Sequence, residues 1–297
     1  MADCHLNRIY NILYNKFKTY GYNIDIFVTT LKNLRMIHTN KMFPKVIKLN
    51  STTGSDTAKN GYKEEELVAD DLNTIDTLLD GLKSDSHKPI GGPFKKRKGN
   101  SKTDVTDNYH NCQVKKYKKK QFGQVDRHDL SYFVEKIPFN NDERNIIIPP
   151  LQNMIQYPLQ SCHKLCDKAL PLKLLTTSNY EQSHLDMIVN ILNKYKLEIL
   201  EYAFYGYDKE TQPIYLIGVE YDNKIRKKIT IFRMIDVINY LSKYDFVIHK
   251  KGSVIGLNKT FTLQRKGGDS GKKSGNDLQM KLVFSRLNIE PLLEYHI

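Results

Sequence analysis

Apolar positions recur at helical spacing near the N-terminus, where Leu6, Ile9, Tyr10, Leu13, Phe17 and Tyr20 describe an amphipathic helix. Ser51 to Asn60 is polar and rich in Gly, Ser and Thr, and it reads as a linker or an ordered approach loop. Val68, Leu72, Ile75 and Leu79 then predict a second helix over Tyr62 to Leu79. Glu64, Glu65 and Glu66 fall in its first turns, where the helix dipole favours acids, and Gly81 is placed to stop it. A third helix is predicted over Ser183 to Leu197, opened by Ser183 and Asp186 at capping-box spacing, and a fourth near Phe232 to Leu241.

Between these lie segments of other kinds. Lys83 to Asn100 combines Pro89, Gly91, Gly92 and Pro93 with a Lys-Lys-Arg-Lys run and reads as a mobile basic loop. Asn145 to Pro171 has four prolines and little periodicity. Leu200 to Tyr207, Pro213 to Val219, Lys228 to Phe232, Phe246 to His249, Thr260 to Gln264 and Leu278 to Phe284 are rich in strand formers and imply a sheet. Helices flanking a mixed sheet, in an α/β or α+β domain, follow from this pattern.

Of the 297 residues, 40% are hydrophobic and 10% aromatic, enough to bury a core. No uncharged apolar run approaches the ~18 residues of a membrane span, and Met1 to Thr19 lacks the apolar region of a signal peptide. Cys4, Cys112, Cys162 and Cys166 are too few for a disulfide scaffold, so the expected location is the cytoplasm. The formal charge of +13 is concentrated: Phe94 to Lys120 carries ten Lys and Arg against two Asp, and Lys259 to Lys281 carries six against two. Two such patches point to a polyanion, most often nucleic acid; disordered lysine loops that aid solubility are the plainer alternative.

The candidate chemistry lies in Lys102 to Lys115. Thr103 to Asp107 and His110 to Lys115 form two strands if Asn108 and Tyr109 make the turn, although that pair lacks Asn-Gly chemistry. Pairing Asp107 with His110 puts Asp104 opposite Gln113, and alternation adds Lys115 to the same face while Cys112 and Val114 point away. Asp104 and Gln113 then offer oxygens to a hard cation such as Mg2+, and Lys115 can orient a water and offset phosphate charge. On spacing alone the same residues also suit an ordinary exposed hairpin. Cys162, His163 and Cys166 could begin a zinc site but lack a second ligand pair, so buried thiols are the simpler reading. His128 could serve as a general base or as a hydrogen-bonded structural histidine.

Four ordered blocks resemble one family, the HinP-type type II restriction endonucleases, a GCGC-cutting branch of the PD-(D/E)XK nuclease superfamily. They are Gly54-Ser55-Asp56-Thr57-Ala58-Lys59-Asn60-Gly61-Tyr62-Lys63, and Thr103-Asp104 with His110-Asn111-Cys112-Gln113-Val114-Lys115. The third is Phe122-Gly123-Gln124-Val125-Asp126-Arg127-His128. The fourth runs Thr262-Leu263-Gln264-Arg265-Lys266-Gly267-Gly268-Asp269-Ser270-Gly271 and continues through Asn276, Leu278-Gln279 and Lys281. The spacing from Asp104 to Gln113 is shorter than the family pattern, and Arg127 stands at a lysine position.

The resemblance implies an α/β, PD-(D/E)XK nuclease fold, a central mixed sheet flanked by helices. Residues 51–297 would form the catalytic and DNA-recognition domain, and residues 1–50 an N-terminal helical extension. It implies a Mg2+-dependent type II enzyme that cuts double-stranded DNA beside a methyltransferase in the same cell. Asp104, Gln113 and Lys115 would be catalytic, the first two as metal ligands. Glu65 would either join the metal site or merely complement a helix N-terminus. Gln124, Arg127, Gln264, Arg265 and Lys266 would contact bases or phosphates, with Lys272 and Lys273 on phosphates; two arginines lean toward guanine. A nicking or repair endonuclease, or a DNA-binding protein that does not cleave, are the alternatives.

Overall fold

In the computed structural model, helix α1 (Thr52–Thr74) and helix α2 (Asp76–Ser86) run in succession, separated at Ile75. The described residues are 52–99, 101–118, 121, 123–155, 182–249, 254–265 and 277–297. The expected N-terminal helix, the 1–50 extension and the Cys162, His163, Cys166 group lie outside them. Among the described residues no helix is long and apolar enough to cross a membrane.

Helix α1 absorbs the stretch read as a linker, since residues 52–60 are helical. Glu65 therefore sits well inside a helix whose first turn holds no acid, which removes the dipole explanation for it. Gly81 lies within α2, which ends instead on His87 in the left-handed conformation (φ 52°).

A first sheet contains β1 (Lys95–Lys96), β2 (Val105–Thr106), β3 (Asn111–Lys118), β5 (Tyr215–Asp222), β6 (Ile225–Arg233) and β11 (Leu293–His296). It is mixed: β3 and β5 run parallel and the other neighbours antiparallel. The presumed basic loop thus contributes an edge strand, because Lys95 and Lys96 pair with Thr106 and Val105. A second, antiparallel sheet has the order β4 (Gly123–Asp129), β10 (Asp277–Leu282), β9 (Phe261–Arg265), β8 (Val254–Leu257), β7 (Phe246–Ile248).

Alternation along β5 explains the layering. Tyr215, Ile217, Val219 and Tyr221 bury against Val68, Leu72, Leu78 and Leu82 of α1 and α2. Leu216 belongs to the other core, with Leu263, Leu278 and Met280 of the second sheet and residues of α3 (Leu130–Lys136), α4 (Asn141–Ile155), α5 (Gln182–Lys194), α6 (Lys196–Tyr205) and α7 (Met234–Ser242). Helices therefore cover one face of the mixed sheet, and the second sheet and remaining helices the other.

Two further elements differ from the sequence reading. Leu200 to Tyr205 is helical, because Ile199, Leu200, Ala203 and Phe204 bury at helical spacing. Glu201 is the one charged residue in this short run, so local pattern does not separate helix from buried strand. Asn141–Ile155 is a helix although Pro149 and Pro150 lie within it.

Candidate nucleic-acid cleavage site

The hairpin at β2 and β3 takes the register that alternation requires, with Val105 opposite Cys112 and Thr106 opposite Asn111. Its turn forms without Asn-Gly because Asp107 organises it. Asp107 Oδ1 accepts from Tyr109 N (2.9 Å) and His110 N (2.6 Å), and Oδ2 from Gly91 N (3.2 Å). Asn108 takes the positive φ (83°) that the turn needs. His110 Nδ1 lies 2.8 Å from Asp107 Oδ2, and its Nε2 lies 2.5 Å from Ser86 Oγ, which ties the hairpin to the end of α2. Burial pushes Asp107 up, but these donors prevail and hold it below the usual carboxylate range.

On the face toward α1 and α2, Val105, Cys112 and Val114 are buried, as expected. Burial pushes the Cys112 thiol up, which suits an inert core sulfur. Asp104 Oδ2 accepts from Val114 N at 2.8 Å and from Lys115 Nζ at 3.2 Å. Its backbone is held on both sides, by Asp104 N to Cys112 O and Arg97 N to Asp104 O, each 2.9 Å. Gln113 is 1% exposed, and its Oε1 has no hydrogen-bond partner among the described residues. A buried carbonyl oxygen without a donor is unfavourable unless something beyond these residues satisfies it.

Helix α1 brings Glu65 to this group. Burial first, then the charge of Asp104, push Glu65 up to about 7, against the opposing charges of Lys96 and Lys115. Lys96 Nζ is 3.7 Å from Glu65 Oε2 and sits 4.1 Å over the Tyr62 ring. One member of the basic run is thus engaged inward. Next to Glu65, Glu64 is buried and accepts from the Tyr221 hydroxyl, with Arg226 Nε 3.1 Å away, so α1 is braced on β5 and β6.

Two crowded carboxylates and one unsatisfied amide oxygen fit a hard divalent cation, which takes oxygen ligands and relieves like-charge repulsion. Among the described residues no cluster of three His, Cys, Asp or Glu forms, so such a cation would depend on Gln113 as a neutral ligand.

The second sheet carries the other candidates. Gln264 stands opposite Gln279, Thr262 opposite Lys281, and Gln279 opposite Arg127. A bulge between Met280 and Lys281 lets Gln124 pair with Lys281, so Gln124 and Arg127 share this polar row although three residues apart. The Gln279 amide nitrogen donates to Gln124 Oε1. Arg265 stands opposite Leu278, out of phase with that row. Lys266, Lys272, Lys273 and the Gly267-Gly268 pair lie outside the described residues.

Gln279 and Lys281 belong to the fourth sequence block but are not among the contact residues it predicts, and the sheet adds them to that set. Burial pushes the Lys281 ammonium down, and no carboxylate among the described residues offsets it. Their signal was the Gln-x-Lys spacing, which sets both on one face of a strand. His128 is structural in its contacts, with Nε2 at 3.0 Å from Asp126 Oδ1 and its ring against Tyr132 and Tyr202.

A family model described as R.HinP1I restriction endonuclease matches residues 102–287. Among solved structures, a chain of restriction endonuclease MspI in complex with its cognate DNA is similar at a TM-score of 0.44 and 13% identity, over 84% of this chain and 98% of that one. None of the curated proteins compared matches the chain.

Proposed function

The chain belongs to the R.HinP1I restriction endonuclease family, and from that premise we propose that Asp104, Gln113, Lys115 and Glu65 form its Mg2+-dependent cleavage centre. The enzyme is a type II site-specific DNA endonuclease. The observation that carries the assignment is the hairpin register, which joins Lys115 to Asp104 at 3.2 Å beside the buried, unsatisfied Gln113.

Asp104, Gln113 Oε1 and Glu65 would hold the cation. Mg2+ supplies Lewis-acid stabilisation of charge on the scissile phosphate when bound. The chain's own groups do the rest. Val114 N fixes the Asp104 carboxylate, and Lys115 Nζ donates to the attacking water and to a phosphate oxygen as charge builds there. Glu65 adds negative charge that favours cation uptake once it is ionised.

Double-stranded DNA is read by the polar row of the second sheet. Gln124, Arg127, Gln264, Gln279 and Lys281 offer the amide and cationic groups that pair with base edges in the major groove. Arg265, Lys266, Lys272 and Lys273 serve the backbone or the bases. Residues 51–297 make up the catalytic and recognition domain and residues 1–50 an extension. The enzyme acts in the cytoplasm, where a methyltransferase of matching specificity protects the cell's own DNA.

Incubation of the protein with unmethylated plasmid and Mg2+, followed by sequencing of the ends, tests this. Discrete fragments sharing one terminal sequence are expected, with GCGC the first site to examine. Intact DNA at every Mg2+ concentration, with a salt-sensitive mobility shift, would replace cleavage by DNA binding alone.

A further inference from the structure

Lys102 stands two residues before Asp104, and none of the features that identify the cleavage centre involves it. Its ammonium lies 2.7 Å from Asp126 Oδ1 and donates to Ala203 O at 2.9 Å. Its stem lies on Gly206 (φ 71°), where a Cβ would fall 2.8 Å from Lys102 Cγ. Thr103 Oγ1 donates to Thr211 O at 2.5 Å. Both residues leading into Asp104 are therefore clamped, one of them by a strand of the other sheet.

That strand is β4, and Asp126 precedes Arg127 on it. Asp126 Oδ1 takes three donors: Lys102 Nζ, His128 Nε2 at 3.0 Å and Arg127 N at 2.8 Å. Its Oδ2 is buried with no hydrogen-bond partner among the described residues, and so is the Tyr202 hydroxyl, whose ring lies 5.5 Å from that of His128. Asp126 is thus held by donors from the segment entering Asp104, from its own strand and from His128 at once.

We propose that Lys102 is a positioning residue for cleavage: its ion pair with Asp126 ties the backbone entering Asp104 to the strand that carries Arg127. Seating of β4 on the correct DNA sequence then sets the geometry of the cleavage centre. The inference rests on the DNA-cleavage function proposed above and adds to it a route from recognition to chemistry.

The test compares Lys102→Met, Asp126→Asn and the double variant with the parent. Single-turnover cleavage with Mg2+ is measured on DNA carrying the site found by end sequencing and on DNA altered at one base pair. Binding of both DNAs is measured with Ca2+ in place of Mg2+, and thermal unfolding alongside. Cleavage of the correct site should fall at least ~10-fold, because small misplacements of reacting groups have large effects on rate. Its binding should stay within about threefold, since only phosphate and base contacts govern that step. Cleavage of the altered site should fall less, so discrimination narrows. The double variant should be no slower than the slower single one, the mark of a shared contact.

The double variant leaves no unpaired buried charge, so it keeps the test valid if a single variant unfolds. An unchanged rate on the correct site overturns the proposal. Equal proportional losses on both DNAs, tracking the melting temperature, overturn it as well, because they show a purely structural pair. A parent protein that cuts no DNA removes the cleavage function itself; a parent that cuts, with variants that match it, removes only the link.

Discussion

Replacing Glu65 by Gln keeps the side chain's shape and deletes one of two crowded charges. Burial and the charge of Asp104 push Glu65 from an ordinary 4.5 to about 7. An acid whose pKa is raised by folding has no effect on stability while it is protonated in both states. As pH rises from 4.5 to about 7, the unfolded chain ionises first, so the metal-free fold loses stability across that window and stays weakened above it. At 1.36 kcal/mol per unit, the ceiling is about 3 kcal/mol. The Glu65 side chain is 17% exposed, and solvent screening reduces the effect to about 1 to 2 kcal/mol. Metal-free Glu65→Gln should therefore melt roughly 2 to 8 °C above the parent near pH 8 and level with it near pH 4.5. Calorimetry across that range with EDTA measures this. With Mg2+ the parent should gain more stability than the variant, and the variant's cleavage rate should fall on the order of 100-fold. A melting difference that does not change with pH would refute the charge-crowding argument, and undiminished cleavage would remove Glu65 from the metal site.

Lys115→Ala should lower single-turnover cleavage by about 100-fold or more while DNA binding with Ca2+ stays within about threefold; cleavage at the parent rate would exclude Lys115 from the chemistry. Lys281→Met should raise the melting temperature, because burial disfavours that cation, yet weaken binding of the correct site by about 1 to 3 kcal/mol; equal weakening on every sequence would assign Lys281 to phosphate rather than base. Gly91→Ala should destabilise the fold by about 1 to 3 kcal/mol, since overfilled sites strain their neighbours. Its Cβ would lie 2.4 Å from Asp107 O and 2.6 Å from the Tyr109 ring, and an unchanged melting temperature would contradict that packing.

The hairpin was legible because its logic is local. Once Asp107 faces His110, alternation alone puts Asp104, Gln113 and Lys115 on one side, and Asp107 can build the turn from its own carboxylate. Most strands of both sheets were legible for the same reason, through β-branched and aromatic runs broken by turn residues. Leu200 to Tyr205 is a helix where the pattern predicts a strand, because a six-residue run with Glu201 as its one charged, exposed residue is too short to betray its period. Residues 52–60 were misread as a linker although they begin a helix, and that start moved Glu65 from the helix end to the interior.

By itself the sequence determined which residues could share a face and which chemical groups they carry, because backbone geometry sets the side-chain period within an element. Only the tertiary structure decided what those faces meet. Glu65 reaches Asp104 because α1 buries Val68 and Leu72 against β5, far along the chain. Gln279 joins Gln124 and Arg127 because β10 pairs with β4 through a bulge. Lys102 reaches Asp126 because the two sheets are buried against each other around Leu216 and Met280. These are long-range contacts, chosen by the burial of apolar area over the whole chain rather than by any neighbouring residue.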